Sequence, residues 1–360
     1  MTTLLITGVT GFLGGAALEK ILHQETRLDL LLLVRADSPE AGLERVKENM
    51  RKFNIAEEKL AMLRPQHILL GDLASPEHFL NDPRLDQVTH ILNCAAVASF
   101  GSNPLIWKVN VEGTLRLAQR MAQVTGLQRF LHVGTAMVAE SAEFRERAEH
   151  LVEYTHSKST IEQLMQQQCP TLPLVIARPS IVVGHTHHGC RPSSSIFWVF
   201  SMGLMLQKFM CSMEDRIDVI PVDYCADALL MLLNQPLAHG EVVHISAGEE
   251  NSVKFAEIDR AMAQALEQAP VGDKYAQVSY ETLVKMRREL KGIFGPCNER
   301  LMLKAMRLYG AFATLNVRFS NDKLLSMGMP KPPRFTDYID RCVETTRGLS
   351  IPQQMAVDFK

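Results

Sequence analysis

Tyr154 and Lys158 stand four residues apart in Tyr154-Thr155-His156-Ser157-Lys158, at the start of a helical pattern that runs on to Gln168. Residues at that spacing share one face of a helix. An ammonium beside a phenol stabilises the phenolate, so the pair predicts a tyrosine pKa lowered towards neutrality. Such a phenol gives a proton to a carbonyl oxygen or takes one from an alcohol. Upstream, Phe130-Leu131-His132-Val133 reads as a strand that ends on Gly134-Thr135. The Thr135 hydroxyl is placed to share a developing oxyanion with Tyr154. Alone, a Tyr-x-x-x-Lys spacing is common on amphipathic helices, and a strand-terminal threonine is often a turn cap. The trio gains weight from a glycine-rich turn that precedes it in the chain.

That turn is Gly8-Val9-Thr10-Gly11-Phe12-Leu13-Gly14, which closes the apolar strand Thr3-Leu4-Leu5-Ile6 and opens a helix. Gly8 allows the tight turn, Gly11 lets a phosphate approach the backbone, and Gly14 lets helix and strand pack closely. Free amides at the helix start then meet the negative charge of a dinucleotide pyrophosphate, around Thr10, Phe12 and Leu13. About twenty residues further on, at the end of the second strand, an acid would hold a ribose diol and a base would accept a 2′-phosphate. Arg35 stands there and Asp37 follows two residues later. The expected cofactor is therefore NADPH, ahead of NADH.

The elements that must position these groups are short apolar runs alternating with longer helical patterns. The runs are Leu28–Val34, His67–Leu73, His90–Ala96, Arg129–Thr135 and Leu174–Ala177, and Val242–Ile245 reads as one more. Between them lie helical stretches at Phe12–Gln24, Pro39–Leu63, Pro104–Thr125 and Leu151–Gln168. Strands apolar on both faces and separated by helices predict an α/β fold. The expected architecture is a Rossmann-type doubly wound parallel sheet of about seven strands. Residues 1–184 plus 216–248 would form that domain. Residues 185–215 plus 249–360, Met- and aromatic-rich and then helical, would form a smaller, mostly helical substrate-binding cap over the carboxyl edge of the sheet, where ligands of open α/β sheets sit.

The chain has 360 residues, 46% hydrophobic and 22% charged, with net charge -2. That balance gives no bulk attraction to nucleic acid or anionic lipid. Seven scattered cysteines without a Cys-x-x-Cys pair suggest neither a disulfide framework nor a zinc site, and fit a reducing, cytoplasmic setting. The first strand begins at Thr3 with no room before it for a signal core, and the apolar stretch Ile196–Leu206 is too short to span a bilayer. That stretch reads either as the wall of an acyl channel or as a buried helix. His185, His187, His188 and Cys190 read as a loop rather than a metal site, since the chemistry above needs no metal. Lys285 to Arg307 is locally basic, which suits a solvated helix face or the docking of phosphates.

Taken together the chain resembles the extended short-chain dehydrogenase/reductases, and within them the thioester-reductase and fatty acyl-CoA reductase group, the "male sterility" NAD-binding family. The residues that carry the resemblance are the glycine turn from Thr7, Leu32-Leu33-Val34-Arg35, Gly71-Asp72-Leu73, Asn93-Cys94-Ala95-Ala96-Val97, and Asn110-Val111-Glu112-Gly113-Thr114. The Tyr154 and Lys158 pair, Arg178-Pro179-Ser180-Ile181-Val182-Val183-Gly184 and Ile220-Pro221-Val222-Asp223-Tyr224 complete it. The resemblance implies that Asp72 and Leu73 flank the adenine, and that Ala95 and Ala96 line the pyrophosphate side. It implies that Asn110 supports the active-site helix or a water relay, that Lys158 also reaches the nicotinamide ribose, and that Pro179 lies at the nicotinamide end. Gly134 departs from the serine that the acyl-reducing group usually carries before the threonine. His156 is unusual inside the Tyr-to-Lys segment and reads as a solvated or partner-facing side chain.

The implied activity is reduction of an acyl thioester, on coenzyme A or on a carrier protein acting in trans, to aldehyde and in some cases alcohol. Ketone or sterol reduction and sugar-nucleotide epimerisation use the same trio and remain alternatives. Dehydration is disfavoured, because Ala136 and Met137 follow Thr135 where dehydratases of this fold place an acid. A cofactor-binding regulator without turnover would not need Tyr154 and Lys158. Cys94 reads as a small packing residue, since no acyl-enzyme is required.

Overall fold

The computed structural model describes residues 2–24, 29–98, 103–138, 153–314 and 316–355. The chain divides into two compact units. The first is Met1–Pro179, Val222–Ile245 and Asp322–Pro330, and the second is Ser180–Pro221, Ser246–Asn321 and Lys331–Lys360.

The first unit holds a seven-stranded sheet. In chain order its strands are β1 (Thr3–Thr7), β2 (Asp29–Val34), β3 (Ile68–Leu70), β4 (His90–Asn93), β5 (Arg129–Val133), β6 (Leu174–Pro179) and a last strand, Glu241–Ile245. Across the sheet the order is Glu241–Ile245, β6, β5, β4, β1, β2, β3. Every neighbouring pair is parallel. The strands are apolar on both faces because both faces are covered. Leu5, Leu31, Ile91, Phe130 and Leu174 stand in register on one face and pack against Leu117, Ala118 and Met121 of the helix Thr114–Met121. Ile161 and Met165 of the helix Glu153–Gln168 join the same core. Helix α1 (Phe12–His23) packs beside Val222–Asn234. The winding reverses between β1 and β4, the place where open α/β sheets bind ligands.

Helix α2 (Pro39–Lys52) begins where Ser38 and Pro39 predict, with the Ser38 hydroxyl accepting from the Ala41 amide at 3.1 Å. It does not run on to Leu63. Asn54 adopts the left-handed conformation, φ 57°, and only a single turn, Glu57–Leu60, follows. The expected helix Pro104–Thr125 is π-helical over Ile106–Gly113 before it becomes α-helical at Thr114. The Thr114 hydroxyl donates to the Val109 carbonyl at 2.9 Å, five residues back, which supports the wider turn. The run His67–Leu73 contributes only Ile68–Leu70, because Asp72 turns the chain by accepting from the Ala74 amide at 2.8 Å. Leu28, Leu151 and Val152, assigned to elements from sequence, lie outside the described residues.

The second unit is mostly helical. Its Met- and aromatic-rich helix, Phe197–Leu206, is buried on nearly every side. Trp198 meets Tyr309 edge-on at 5.2 Å, and Phe197 and Phe200 pack on Phe335. The stretch is thus the core helix of its unit, with Met205 exposed. In the basic segment Glu299 pairs with both Arg287 (3.1 Å) and Lys291 (3.4 Å). The histidine run forms a turn in which His185 Nδ1 accepts from the amides of His187 and His188. Among the described residues no helix is long and apolar enough to cross a membrane.

Candidate active site

The glycine turn sits at the switch point. Gly8 has φ +71°, and a Cβ there would lie 2.7 Å from the Ala95 amide nitrogen, so only glycine lets the β1 and β4 ends approach. A Cβ on Gly14 would strike the Gly8 carbonyl oxygen. The Gly11 amide donates to Gly8 O at 2.9 Å, closing the turn. Helix α1 then starts with no side-chain cap and no acid in its first turn. Its first amides, at Phe12 and Leu13, have no intrahelical acceptor and carry the positive end of the dipole. A cradle that a Cβ would fill, facing an uncapped helix start, fits a pyrophosphate. Replacing Gly14 by Ala is expected to cost at least about tenfold in dinucleotide affinity and about 1–3 kcal/mol of stability, read by cofactor titration and unfolding.

One buttress of the turn escaped the sequence analysis. Buried Asn49 donates from Nδ2 to the carbonyls of Val9 and Gly11, both at 3.1 Å. The signal was present: Gly42, Val46, Asn49 and Met50 form the buried face of α2, and an amide on such a face must find partners.

At the ends of β2 and β3 the structure brings Arg35 and Asp72 together, with Nη1 3.9 Å from Oδ2, both substantially exposed. Arg45 of α2 donates to the Arg35 carbonyl, adding a second guanidinium to this corner. Leu73 is buried in the core, and a Cβ on Gly113 would strike its carbonyl. Ala95 and Ala96 are half-buried beyond β4, but the Ala95 amide is already used, donating to Thr7 Oγ1 at 3.0 Å.

Tyr154 and Lys158 lie on the helix Glu153–Gln168, with Lys158 Nζ 6.0 Å from the centre of the Tyr154 ring. Lys158 is buried, and Nζ donates to the Val133 carbonyl at 2.7 Å. That bond fixes the lysine against the strand end that carries Gly134 and Thr135. Thr135 is nearly buried, and its Oγ1 accepts from the Met137 amide at 3.3 Å. Pro179, buried at the end of β6, accepts from the Ala136 amide at 2.8 Å and so lies beside the same strand end.

The expected lowering of the tyrosine pKa does not occur. Burial, reinforced by the negative charge of Glu162, pushes the Tyr154 phenol up to about 12. Burial also pulls Lys158 down to about 8, against the opposing pull of Glu162 and Cys94. Desolvation outweighs the ammonium's stabilisation of a phenolate 6.0 Å away. The phenol is therefore held protonated. The Cys94 thiol is likewise pushed up to about 12 by burial, so it offers no thiolate.

Asn110, in the π-helical turn, accepts from the Val97 amide (2.7 Å) and donates to Val97 O (3.2 Å) and Ser157 Oγ (3.0 Å). Ser157 Oγ in turn donates to the Tyr154 carbonyl at 2.7 Å. Asn110 thus ties the π-helical turn through Ser157 to the first turn of the helix Glu153–Gln168. Exposed His156 meets Trp107 edge-on at 5.1 Å.

Two further features became visible only with the register of the sheet. Thr7, Asn93 and His132 form a buried polar row: Thr7 Oγ1 donates to Asn93 Oδ1 (2.6 Å), and Asn93 Nδ2 meets His132 Nδ1 (3.0 Å). His132 is held neutral, well below its ordinary pKa, by burial and then by Lys158. Its Nδ1 therefore accepts, and the proton sits on Nε2. Beside it Glu162 and Arg178 make a buried ion pair at 2.7 Å.

Residues 6–229 match the family described as Male sterility protein. A putative fatty acyl-CoA reductase of Drosophila melanogaster is 26% identical over 328 residues, covering 74% of this chain and 59% of that protein. A probable fatty acyl-CoA reductase of Arabidopsis thaliana is 24% identical over 340 residues, covering 71% of this chain and 68% of that protein. The chain thus spans well under three-quarters of the length of either relative. Among solved structures, the terminal R domain from the myxalamid PKS-NRPS biosynthetic pathway superposes with a TM-score of 0.75 at 21% identity, over 96% of this chain and 90% of that one. The R domain of a non-ribosomal peptide synthetase from Mycobacterium tuberculosis gives 0.65 at 21% identity, over 96% and 92%. These likenesses concern the fold. With the glycine cradle at the switch point and the match over residues 6–229, the chain belongs to the male sterility protein family, an NAD-binding family.

Proposed function

We propose that the protein reduces an acyl thioester, carried on coenzyme A or on a carrier protein in trans, to the aldehyde, using NADPH. The observation that carries this reading is the Tyr154–Lys158 pair, half-buried tyrosine and buried lysine, with Lys158 tied to the strand end bearing Thr135, in a chain of a family whose similar members are named fatty acyl-CoA reductases. Ala136 and Met137 after Thr135 supply no acid for an elimination.

NADPH, held by the Gly8–Gly14 turn with Arg35 at its 2′-phosphate, would supply a hydride for the carbonyl carbon. Thr135 and Tyr154 donate hydrogen bonds to the carbonyl oxygen as it becomes an oxyanion. Tyr154, protonated at every physiological pH, gives up its proton and leaves a hemithioacetal. Collapse of that adduct breaks the carbon–sulfur bond and releases thiol and aldehyde. Lys158, with a pKa of about 8, is the neighbouring acid that stabilises and reprotonates the phenolate. The same residues can serve a second reduction to the alcohol.

Absorbance of the nicotinamide, followed against acyl-coenzyme A thioesters and simple ketones, tests the proposal. Thioester-dependent oxidation of NADPH with stoichiometric thiol release is expected, and turnover of ketones alone would overturn it. The cofactor choice rests on Arg35, exposed at the end of β2, with Arg45 beside it. Arg35→Ala is expected to weaken NADPH binding about tenfold while leaving NADH within about twofold, since only the 2′-phosphate loses a charged partner. Equal losses for both cofactors would remove the argument for NADPH.

A further inference from the structure

We propose that Glu162, anchored by Arg178 in a socket that glycine at position 134 leaves open, is a positioning residue that seats and electrically balances the Tyr154–Lys158 face. The proposal rests on the reductase reading above. Tyr154, Lys158 and Glu162 recur at four-residue intervals along the helix Glu153–Gln168, so they share a face. The strand end opposite meets two of them: Val133 takes Lys158 Nζ on its carbonyl, and Gly134 faces the Glu162 carboxylate. Both Arg178 donors, Nη2 at 2.7 Å and Nε at 3.1 Å, converge on Glu162 Oε2. Oε1 has no hydrogen-bond partner among the described residues, and a Cβ at position 134 would strike it. The space of a side chain at 134 is thus occupied by the carboxylate.

The charges around Lys158 show why that carboxylate matters. Its own helix contributes Tyr154 and Glu162, β5 contributes His132, the residue after β4 is Cys94, and β6 contributes Arg178 through Glu162. His132, Cys94 and Tyr154 are held neutral by burial. Glu162 is therefore the one anion in this group, set between two buried cations. Without it Lys158 would keep its charge in a low-dielectric interior with no carboxylate of this group to offset it. Lys158 would then shed its proton at lower pH, and the Tyr154 phenol, freed of a neighbouring negative charge, would ionise at lower pH.

The test compares Glu162→Gln, Gly134→Ala and the double variant Gly134→Ala/Glu162→Asp in the full chain, each checked for folding by circular dichroism. The first readout needs no turnover. Tyrosinate absorbance is taken at pH 11 and corrected by the same background carrying Tyr154→Phe. With a phenol near 12, about a tenth of wild-type Tyr154 is ionised there, and about half is expected in Glu162→Gln. The second readout is kcat against pH. The alkaline limb of Glu162→Gln should move down by about one pH unit, with KM within about twofold. Gly134→Ala should reproduce both effects, and shortening Glu162 to Asp should restore room and recover most of them, a strongly non-additive pair. An unmoved tyrosinate signal in folded Glu162→Gln, or additive effects at 134 and 162, would overturn the proposal. If Glu162→Gln does not fold, the Gly134 pair decides by the same criteria. If no thioester is reduced, the reductase reading fails while the tyrosinate readout still reports on Glu162.

Discussion

Tyr154→Phe is expected to lower kcat by about 10³-fold and to leave affinity for the nicotinamide cofactor within about twofold. The magnitude is the usual contribution of a positioned general acid together with one oxyanion donor. The selectivity follows from where the phenol lies. Tyr154 is on the helix Glu153–Gln168, whereas the turn proposed to cradle the pyrophosphate is formed by Gly8, Gly11 and Gly14 and buttressed by Asn49. The substitution removes one hydroxyl from a half-buried ring and keeps the ring itself, so folding is expected to be preserved. Steady-state kinetics with a fluorescence titration of the cofactor checks both halves. A loss of less than about tenfold would mean that another group protonates the product oxygen. The pH dependence has a definite sign. The phenol stays protonated to about 12, so it does not limit the rate near neutrality. Lys158 does, and kcat for reduction should fall as pH rises through about 8 and the ammonium is lost.

The parts of this site that could be read from the sequence are those whose chemistry and geometry are local. The Gly8–Gly14 turn follows directly on its strand, so its role depends on neighbours in the chain. Tyr154 and Lys158 share a helix face by spacing alone, and Arg35 is found by counting from the turn. The alternation of apolar runs and helices announced the parallel sheet. What stayed hidden depends on register between distant segments. Thr7 meets Asn93 across 86 residues, and Asn93 meets His132 across 39. Those partnerships follow from strand order, which local pattern does not specify. The direction of the Tyr154 pKa is hidden for a related reason. Spacing reveals a neighbouring ammonium, but only packing reveals how far the phenol is desolvated and that Glu162 adds a negative charge. The π-helical turn around Asn110 has no periodic signature of its own, since one extra residue merely blurs an apolar pattern. Glu162 was closer to view. It stands four residues beyond Lys158, and an acid extending a Tyr–Lys face is a signal once Gly134 is known to oppose it.

The largest stability effect is expected at Arg178. Removing it in Arg178→Ala strands a carboxylate whose side chain is only 4% exposed and whose second oxygen already has no partner among the described residues. Breaking a buried pair from one side costs about 3–5 kcal/mol. In the wild type burial already raises the Glu162 pKa and Arg178 opposes that rise; without the guanidinium it climbs further above its unfolded value. A carboxylate with a raised folded pKa binds more protons folded than unfolded, so stability falls as pH rises through the interval between the two values. The defect of Arg178→Ala relative to wild type should therefore be small near pH 4, where Glu162 is protonated in both states, and full by pH 8. Chemical unfolding at those two pH values checks it, and a defect independent of pH would point to lost packing of the arginine stem instead. Replacing both partners, Arg178→Met with Glu162→Leu, should recover most of the stability, because the desolvation cost of two charges disappears with them. That double variant should fold like the wild type and still show the lowered alkaline limb of Glu162→Gln, since Lys158 would remain buried with no anion beside it. Recovery of stability without recovery of the pH profile separates what the ion pair does for the fold from what its carboxylate does for the reaction.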